Sequence, residues 1–537
     1  MAKINTHMPA INSLYHLEKN SQGMGKAMER IASGLRINNA GDDAAGAAIV
    51  NRMESQVRGL ENAIRNAADA ISLAQTAEGA LNEVTDILQR MRELGVQAAS
   101  GSYSGADRVS LNAEVIQLQQ ELQRIAETTY FNDTKLLNGT FQDTNFQIGY
   151  HDDHAHTITI EDIRPTALGQ YTLTTTQGNA TDAATPLLGT SFDNSTDRVV
   201  DAEDLTVYGH VGSATIEIAD GMTSKEIAEI VTAKQDETGV YATAETRAQI
   251  SFNQIADDFS DTISFSLLGM NSTAEQITAI VDFGGTDIDG AGTAKDMDLT
   301  PLRNSINAAT GKTGIRATLT DDKQSVNLFS ADGYTISINN FDLVSIEAGD
   351  TAPTMSLQAL EEDMETTSGS AITITEAELA SAAAVAAGDG ASDGTDSGQI
   401  GGEVKFRSSQ IFSVDSASIG DGLFNAAPGA STLNNLSDAD ILTIRNAKDL
   451  LSIVDGALKR IDAERGDLGA TMNRMQYTIN NLSNVVMNGK AAQSRIQDSD
   501  IALETSNLTK TQILQQAAQA MLAQANQSAQ NVLSLLK

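Results

Sequence analysis

Residues 511–536 read Thr511-Gln-Ile-Leu-Gln-Gln-Ala-Ala-Gln-Ala-Met-Leu-Ala-Gln-Ala-Asn-Gln-Ser-Ala-Gln-Asn-Val-Leu-Ser-Leu-Leu536, without one charged side chain. Leu514, Ala518, Met521, Ala525, Ser528, Val532 and Leu535 step alternately by four and three, the spacing of a single helix face. A helix bathed in water is normally ringed with Lys and Glu. This one carries Gln, Asn, Ala and Ser on its remaining faces. Small side chains permit close approach and amides bond between neighbours, so the segment is expected to be the interior of a polymer, or disordered until it becomes one.

The same periodicity extends outward from this segment. Ala447, Leu451, Val454, Leu458, Ile461, Arg465, Leu468, Met472, Met475, Ile479, Leu482 and Val486 hold one a/d frame for more than five heptads. Such a seam specifies a left-handed helix–helix interface, although heptads alone leave open whose helix it meets. At the other end, Leu14, Leu17, Met24, Met28, Ile31 and Leu35 follow the pattern, with Ser21 in the gap. Met53, Val57, Leu60, Ile64, Ala67, Ile71 and Ala74 repeat it. The frame then shifts to Ala77, Leu81, Val84, Leu88, Met91, Gly95 and Ala98, a stutter. A shorter helix is expected on Leu111, Val115, Leu118, Leu122 and Ile125. The prolines, at positions 9, 165, 186, 301, 353 and 428, leave 10–164 and 429–537 free of breaks. Gly25, Gly34, Gly46, Gly59, Gly79 and Gly95 each cost about 1 kcal/mol inside a helix unless close packing offsets it; otherwise they mark helix breaks.

Residues 151–440 are rich in Thr, Ser, Gly and Asp, with alternating runs such as His156-Thr-Ile-Thr-Ile160 and Tyr334-Thr-Ile-Ser-Ile338 that predict strands. An internal repeat occurs at an offset of 75: Ile227, Val231, Ala233 and Thr238-Gly-Val-Tyr-Ala-Thr243 match Leu302, Ile306, Ala308 and Thr313-Gly-Ile-Arg-Ala-Thr318. Each copy reads as a short helix, a Gly turn and a strand, and two copies suggest a duplicated α+β module. Ser381–Gly398 is low-complexity sequence, expected to be a flexible loop. The fold class is therefore α+β and multidomain, with long helical ends and a β-rich, acidic insert.

The net charge of −36 is unevenly placed. Residues 151–440 hold 46 acidic and 12 basic side chains, the two ends 25 and 23. Nearly neutral ends can pack on copies of themselves, while the charged middle keeps assemblies apart. The lack of clustered Lys and Arg excludes nucleic acid as a partner. No Cys is present, which rules out disulfides, thiolate nucleophiles and zinc–thiolate sites. No apolar run is long enough to span a membrane, and the N-terminus has no apolar signal core, so export would need a route without a cleaved signal.

Candidate chemistry is sparse. His151, His154 and His156 are metal-ligand types, but their spacing fits no helical site and a solvated turn is the expected reading. Asp287-Ile-Asp-Gly290 lacks the third Asp and the distal Glu of a calcium loop, and Gly388–Asp396 is a similar acidic stretch. Gly311-Lys-Thr313 has Ile306 where a phosphate loop needs Gly, and no His-Glu-x-x-His occurs. No cofactor and no enzymatic activity are expected.

Residues 1–140 and 441–537 resemble bacterial flagellin. The resemblance rests on Ile31-Ala-Ser-Gly-Leu-Arg-Ile-Asn38, Asp42-Asp-Ala-Ala-Gly46, Asn66-Ala-Ala-Asp-Ala-Ile-Ser72, Ala74-Gln-Thr-Ala-Glu-Gly-Ala-Leu81 and Leu88-Gln-Arg-Met-Arg-Glu-Leu94. At the other end it rests on Ser494-Arg-Ile-Gln-Asp-Ser-Asp500, Gln512-Ile-Leu-Gln-Gln516, Ala523-Gln-Ala-Asn-Gln527 and Gln530-Asn-Val-Leu-Ser-Leu-Leu536. It implies an inner coiled-coil core from 1–44 and 491–537, disordered in the monomer, and a helical shell from 45–150 and 441–490. The middle, 151–440, would be the outer surface, with the repeated module near 215–265 and 295–340. The implied function is a self-assembling subunit of the extracellular flagellar filament, exported unfolded through the flagellar type III apparatus with its chaperone. Further implied partners are hook-associated and cap proteins and an animal innate immune receptor, the last contacting Arg90, Leu94 and Glu114. The polymer interface falls to Leu14, Leu17, Met24, Met28, Ile31, Leu35, Leu514, Ala518, Met521, Ala525, Val532 and Leu535. Alternatives are a hook–filament junction protein, which shares related helical ends, and an adhesin displayed through the insert.

Overall fold

A computed structural model describes residues 8–175, 188–189, 203–219, 222–253, 260–283, 297–343, 354–361, 364, 366–374, 398–416 and 429–534. The acidic stretches 287–290 and 388–396, and all of the low-complexity run but Gly398, lie outside the described residues. The chain adopts the α+β architecture expected of it. Its helices are α1 (Met8–Ser33), α2 (Ala44–Ala98), α3 (Gly105–Thr128), α4 (Ser224–Ala233), the single turn α5 (Gln235–Thr238), α6 (Thr300–Thr313), α7 (Ile444–Gln497) and α8 (Ile501–Ser534). Two compact units divide the residues: Met1–Asn82, Ala126–Asp162 and Ala463–Lys537 form one, Glu83–Ile125 and Ile163–Asp462 the other.

In the first unit, α2 and α7 run antiparallel. Val57 and Leu60 bury against Val486, with Ile64 and Leu482 at the edge. Glu61 flanks this seam, 2.7 Å from Lys490, whose hydrogen bond and charge hold the Glu61 carboxyl below its ordinary pKa. A hairpin of strands Thr144–Gln147 and Ala155–Ile158 covers another side of α2. Asn66 Nδ2 donates to the Gln147 carbonyl at 2.8 Å, and a side chain at Gly59 would meet Tyr150.

Two neighbours widen the buried face of α2. Ala63, Ala67, Ala70, Ala74 and Ala77 are fully buried, whereas Ile64 and Ile71 lie at its margin. The frame expected to break between Ala74 and Ala77 therefore runs unbroken from Ala63 to Ala98, and the shift falls between Leu60 and Ala63. Branched Ile marks the rim because Ala allows backbones to approach on both sides.

The second unit holds the duplicated module, which is larger than the repeat predicted it to be. Each copy begins with a hairpin: Glu203–Tyr208 with Ser213–Ile218, and Ser260–Leu268 with Glu275–Asp282. A helix follows (α4, extended by α5, or α6), then a left-handed glycine, Gly239 (φ 76°) or Gly314 (φ 71°), then a strand, Tyr241–Phe252 or Ile315–Leu319. Ile227 and Val231 in one copy, Leu302 and Ile306 in the other, are the buried helix residues. The copies share two bonds that bind helix to strand. Thr232 Oγ1 exchanges hydrogen bonds with Ala242 at 3.1 Å, and Asn307 does the same with Ala317 at 2.8 Å. Any side chain at Gly209 or Gly269 would strike the carbonyl of Thr238 or Thr313.

The strand Tyr241–Phe252 links the two copies. Its first half pairs with Glu403–Ser408 and its second with Ser325–Ser330 and Met355–Leu360. In the same unit Gly169–Thr174 pairs with Thr432–Asn435, and a side chain at Gly456 of α7 would press on Gly169 and Gln170. At the far end of α2, Gly95 lies against Leu451 and the Ala447 carbonyl. Arg108 Nε donates to the Ala98 carbonyl at 2.9 Å, joining α3 to α2.

Candidate assembly surface

The helices α1 and α8 lie antiparallel, with Cα atoms within 8 Å along their length. Two contacts set the alignment: Arg30 with Glu504 at 3.0 Å, and Gly23 opposite Thr511. The inward stripe of α1 includes Leu17, Asn20, Gly23, Met24, Ala27, Arg30 and Ile31, and that of α8 includes Glu504, Asn507, Leu508, Thr511, Gln515, Ala518, Leu522 and Ala525. Leu17, Met24, Ile31, Ala518 and Ala525, expected at the polymer interface, thus lie in the seam within the chain.

Others do not. Leu14, Met28, Leu514 and Met521 are 51%, 50%, 42% and 64% exposed. Leu35 is not part of α1, which ends at Ser33; it forms an isolated bridge with Asp498. Leu535 and the Val532 side chain lie outside the described residues.

The exposed apolar side chains form a surface of their own. Met8, Ile11, Leu14, Tyr15 and Met28 line α1 outside the seam; Leu503, Ile513, Leu514 and Met521 do so on α8. Burying the exposed half of such a side chain contributes about 1 kcal/mol, so covering all nine amounts to roughly 10 kcal/mol per chain. Between them on α8 stand exposed Gln512, Gln516, Gln519, Gln524, Asn526 and Gln527. None of the described residues covers this surface; from Thr511 onward α8 adds no charge to it, and the exposed charges beside it on α1, Glu18, Lys19, Lys26 and Glu29, balance in sign.

The link from α1 to α2 explains a sequence motif. Asp42 accepts from the backbone N–H groups of Asn38 and Asn39, which with Lys26 hold its carboxyl below the ordinary range. Asp43 caps α2 by accepting from Gly46 N at 2.8 Å, and any larger residue at Gly46 would strike Asp43 and Ile37. The glycines divide by role: Gly34 (φ 71°) ends α1, Gly59 and Gly95 admit close neighbours, and Gly25 and Gly79 face open space within one chain.

Arg90 and Glu114 join α2 to α3, with Arg90 Nε 2.8 Å from Glu114 and a second nitrogen 2.8 Å from Glu93. These hydrogen bonds, to Glu114 first, raise the Arg90 pKa. Leu94 does not share their exposed face. It is 1% exposed, turned into the packed side of α2. Leu94 is therefore not on the open surface that Arg90 and Glu114 share, contrary to the expectation that all three line one face.

His151 and His154 lie in the turn beside Tyr150, their rings 5.4 Å apart, and His156 sits on the following strand. Among the described residues no cluster of three or more His, Asp or Glu is arranged to hold a metal ion. Burial, with a smaller contribution from the charge of Arg474, lowers the His156 pKa from 6.5. The fold thus favours the neutral ring; its stabilisation is full above the ordinary value and lost as pH falls through the depressed one. We expect the His156 ring to titrate below pH 6.5 by NMR. A His156→Gln variant should lose less thermal stability than the parent on acidification to about pH 5; an identical loss in both would contradict this.

Comparison with known proteins bears on the helical ends and on the whole chain. The family model for the bacterial flagellin N-terminal helical region matches residues 4–142, and that for the C-terminal helical region matches 451–536. The B-type flagellin of Pseudomonas aeruginosa is 34% identical over 534 residues, covering 99% of each chain. A flagellin of Salmonella rubislaw is 34% identical over 542 residues and flagellin B of Vibrio anguillarum 31% over 535, again covering 99% of both chains. Among the described residues no helix is long and apolar enough to cross a membrane.

Proposed function

The chain belongs to the bacterial flagellin family, and on that footing we propose that α1 and α8 carry it into the polymer. It is a structural subunit of the flagellar filament and not an enzyme. The observation that carries the proposal is the row of exposed apolar side chains on α1 and on the charge-free part of α8, which none of the described residues covers. Residues 1–44 and 491–537 form the filament's inner core. Residues 45–150 and 441–490 form the shell, and the acidic insert faces solvent. The matched relatives are flagellins over their whole length rather than junction proteins, which favours the bulk subunit. Salting out the purified protein should yield long filaments by electron microscopy. Persistent monomers, or filaments capped after a few subunits, would contradict it.

Before assembly the chain travels out of the cell unfolded, through the flagellar export apparatus and with its chaperone. The lack of cysteine leaves no disulfide to obstruct that passage. At the growing tip it meets cap and hook-associated proteins.

Monomers carry a further contact, with the animal innate immune receptor for flagellin, through Arg90 and Glu114. Arg90 offers a planar multi-donor head on an exposed face. Arg90→Ala should lower receptor signalling by monomers at least about tenfold, as an anchoring Arg does, with little change in melting temperature. Equal signalling would move the contact elsewhere, and a silent parent would end the assignment.

A further inference from the structure

The two helical ends change direction at the same level, and the breaks are stitched together. Gly34 N donates to the Arg30 carbonyl and ends α1; Ser499 N donates to the Gly34 carbonyl at 2.9 Å, and Arg36 N to the Gln497 carbonyl at 2.7 Å. The Arg36 guanidinium places two N–H groups on the Ile496 carbonyl, at 2.7 and 3.2 Å, and so caps the C-terminus of α7. Asp500 caps α8 by accepting from Ala502 N and Leu503 N. One turn further in, the Glu504 side chain is 8% exposed and bonded to Arg30 at 3.0 Å.

Glu504 is the one acidic residue among the inward-facing positions of the α1–α8 seam. Beyond it the seam is Leu, Thr, Gln and Ala against Leu, Asn, Gly, Met and Ala, a pattern that a shift of one heptad would leave almost as well packed. The charge breaks this near-degeneracy. Slipped by seven residues one way, Glu504 would face Gly23 and Arg30 would lie beyond the start of α8; slipped the other way, Glu504 would lie beyond the end of α1 and Arg30 would face Thr511. Either slip parts the carboxylate from its cation and sets one of the two against an uncharged seam position, an arrangement that disfavours the shifted state.

We propose that Arg30 and Glu504, backed by Arg36 on the end of α7, are the positioning residues that fix the register of α1 against α8. The register in turn determines which apolar side chains of both helices each subunit presents to its neighbours. The inference rests on the reading that these helices assemble, and its test reads register separately from assembly.

The absence of native cysteine permits a direct readout by disulfide cross-linking. In filaments of the parent, the pair Gly23→Cys with Thr511→Cys should cross-link within a chain. Gly23→Cys with Ala518→Cys should not, since seven residues along a helix is about 10 Å, beyond the reach of a disulfide. Introducing Glu504→Gln should lower the ratio of the first cross-link to the second at least about tenfold. The doubly exchanged chain, Arg30→Glu with Glu504→Arg, should restore it. If the parent forms no filaments, the assembly reading fails before register is measured. If Glu504→Gln assembles with the parent's cross-link alone, the register inference is overturned. If Glu504→Gln does not assemble, the same ratio is read on its monomers, and failure of the exchanged pair to recover the parent cross-link overturns it.

Discussion

Deleting every residue after Thr511 is expected to abolish polymerisation while leaving a soluble, folded monomer. The deletion removes Gln515, Ala518, Leu522 and Ala525 from the seam with α1, together with exposed Ile513, Leu514 and Met521. It also leaves the outward apolar side chains of α1 without the second half of their surface. The core of α2 and α7 around Val57, Leu60 and Val486 does not involve the deleted segment. Helix content and the melting of that core should therefore persist, while filament yield falls to background under salting-out conditions that convert the parent fully. Long filaments from the truncated chain would show that α8 is not part of the polymer interior.

The opposite expectation holds for the insert. Replacing residues 176–429 with a short Gly-rich turn should preserve filaments, because 40 of the chain's acidic side chains and 11 of its basic ones leave with a region remote in sequence from α1 and α8. The junction is set by strand register. Thr172 lies opposite Thr432 in an antiparallel pair, so the strand ends near 175 and 429 are adjacent and a turn can close them. A cut at 165 would be damaging, since Leu168 is fully buried and its carbonyl accepts from Leu436 N. Tyr171 and Leu173 pack against the core that is removed and should be changed to Thr to remain soluble. With most of the surface charge gone, the shortened filaments should bundle at markedly lower salt than the parent. Loss of filaments despite an intact helical shell would instead mean that the outer domains bridge neighbouring subunits.

Much of this was legible in the residues. The proline-free ends and their heptads predicted α2 and α7 and the buried Ala447, Val454, Ile461, Leu468, Met475 and Val486. The Thr-Gly repeat predicted both left-handed glycines. Departures of the buried stripes from the expected frames have a common physical cause. A frame drawn through the largest apolar residues assumes that one partner buries them. In α1 and α8 the intrachain seam is built from small and polar residues, Asn20, Gly23, Ala27, Thr511 and Gln515, which let backbones approach. Leu14, Met28, Leu514 and Met521 are left for other contacts. In α2 a second neighbour moves the buried stripe onto alanines. Leu94, although one turn from Arg90, is rotated far enough to be enclosed. The two module hairpins left no trace as a repeat, because only their alternation, not their residues, is shared: Leu205 and Val207 stand in one where Phe265 and Leu267 stand in the other. The Arg30–Glu504 pair joins residues 474 positions apart, and no local pattern points to it.

The central claim is that α1 and α8 are the interior of a polymer and the acidic insert its exterior. A helical reconstruction of filaments grown from the purified chain tests it most directly. Paired α1 and α8 helices are expected at the smallest radius, with Leu14, Met28, Leu514 and Met521 covered by neighbouring subunits and residues 176–429 outermost. Density placing α1 or α8 on the outer surface, or leaving those four side chains exposed in the filament, would contradict it.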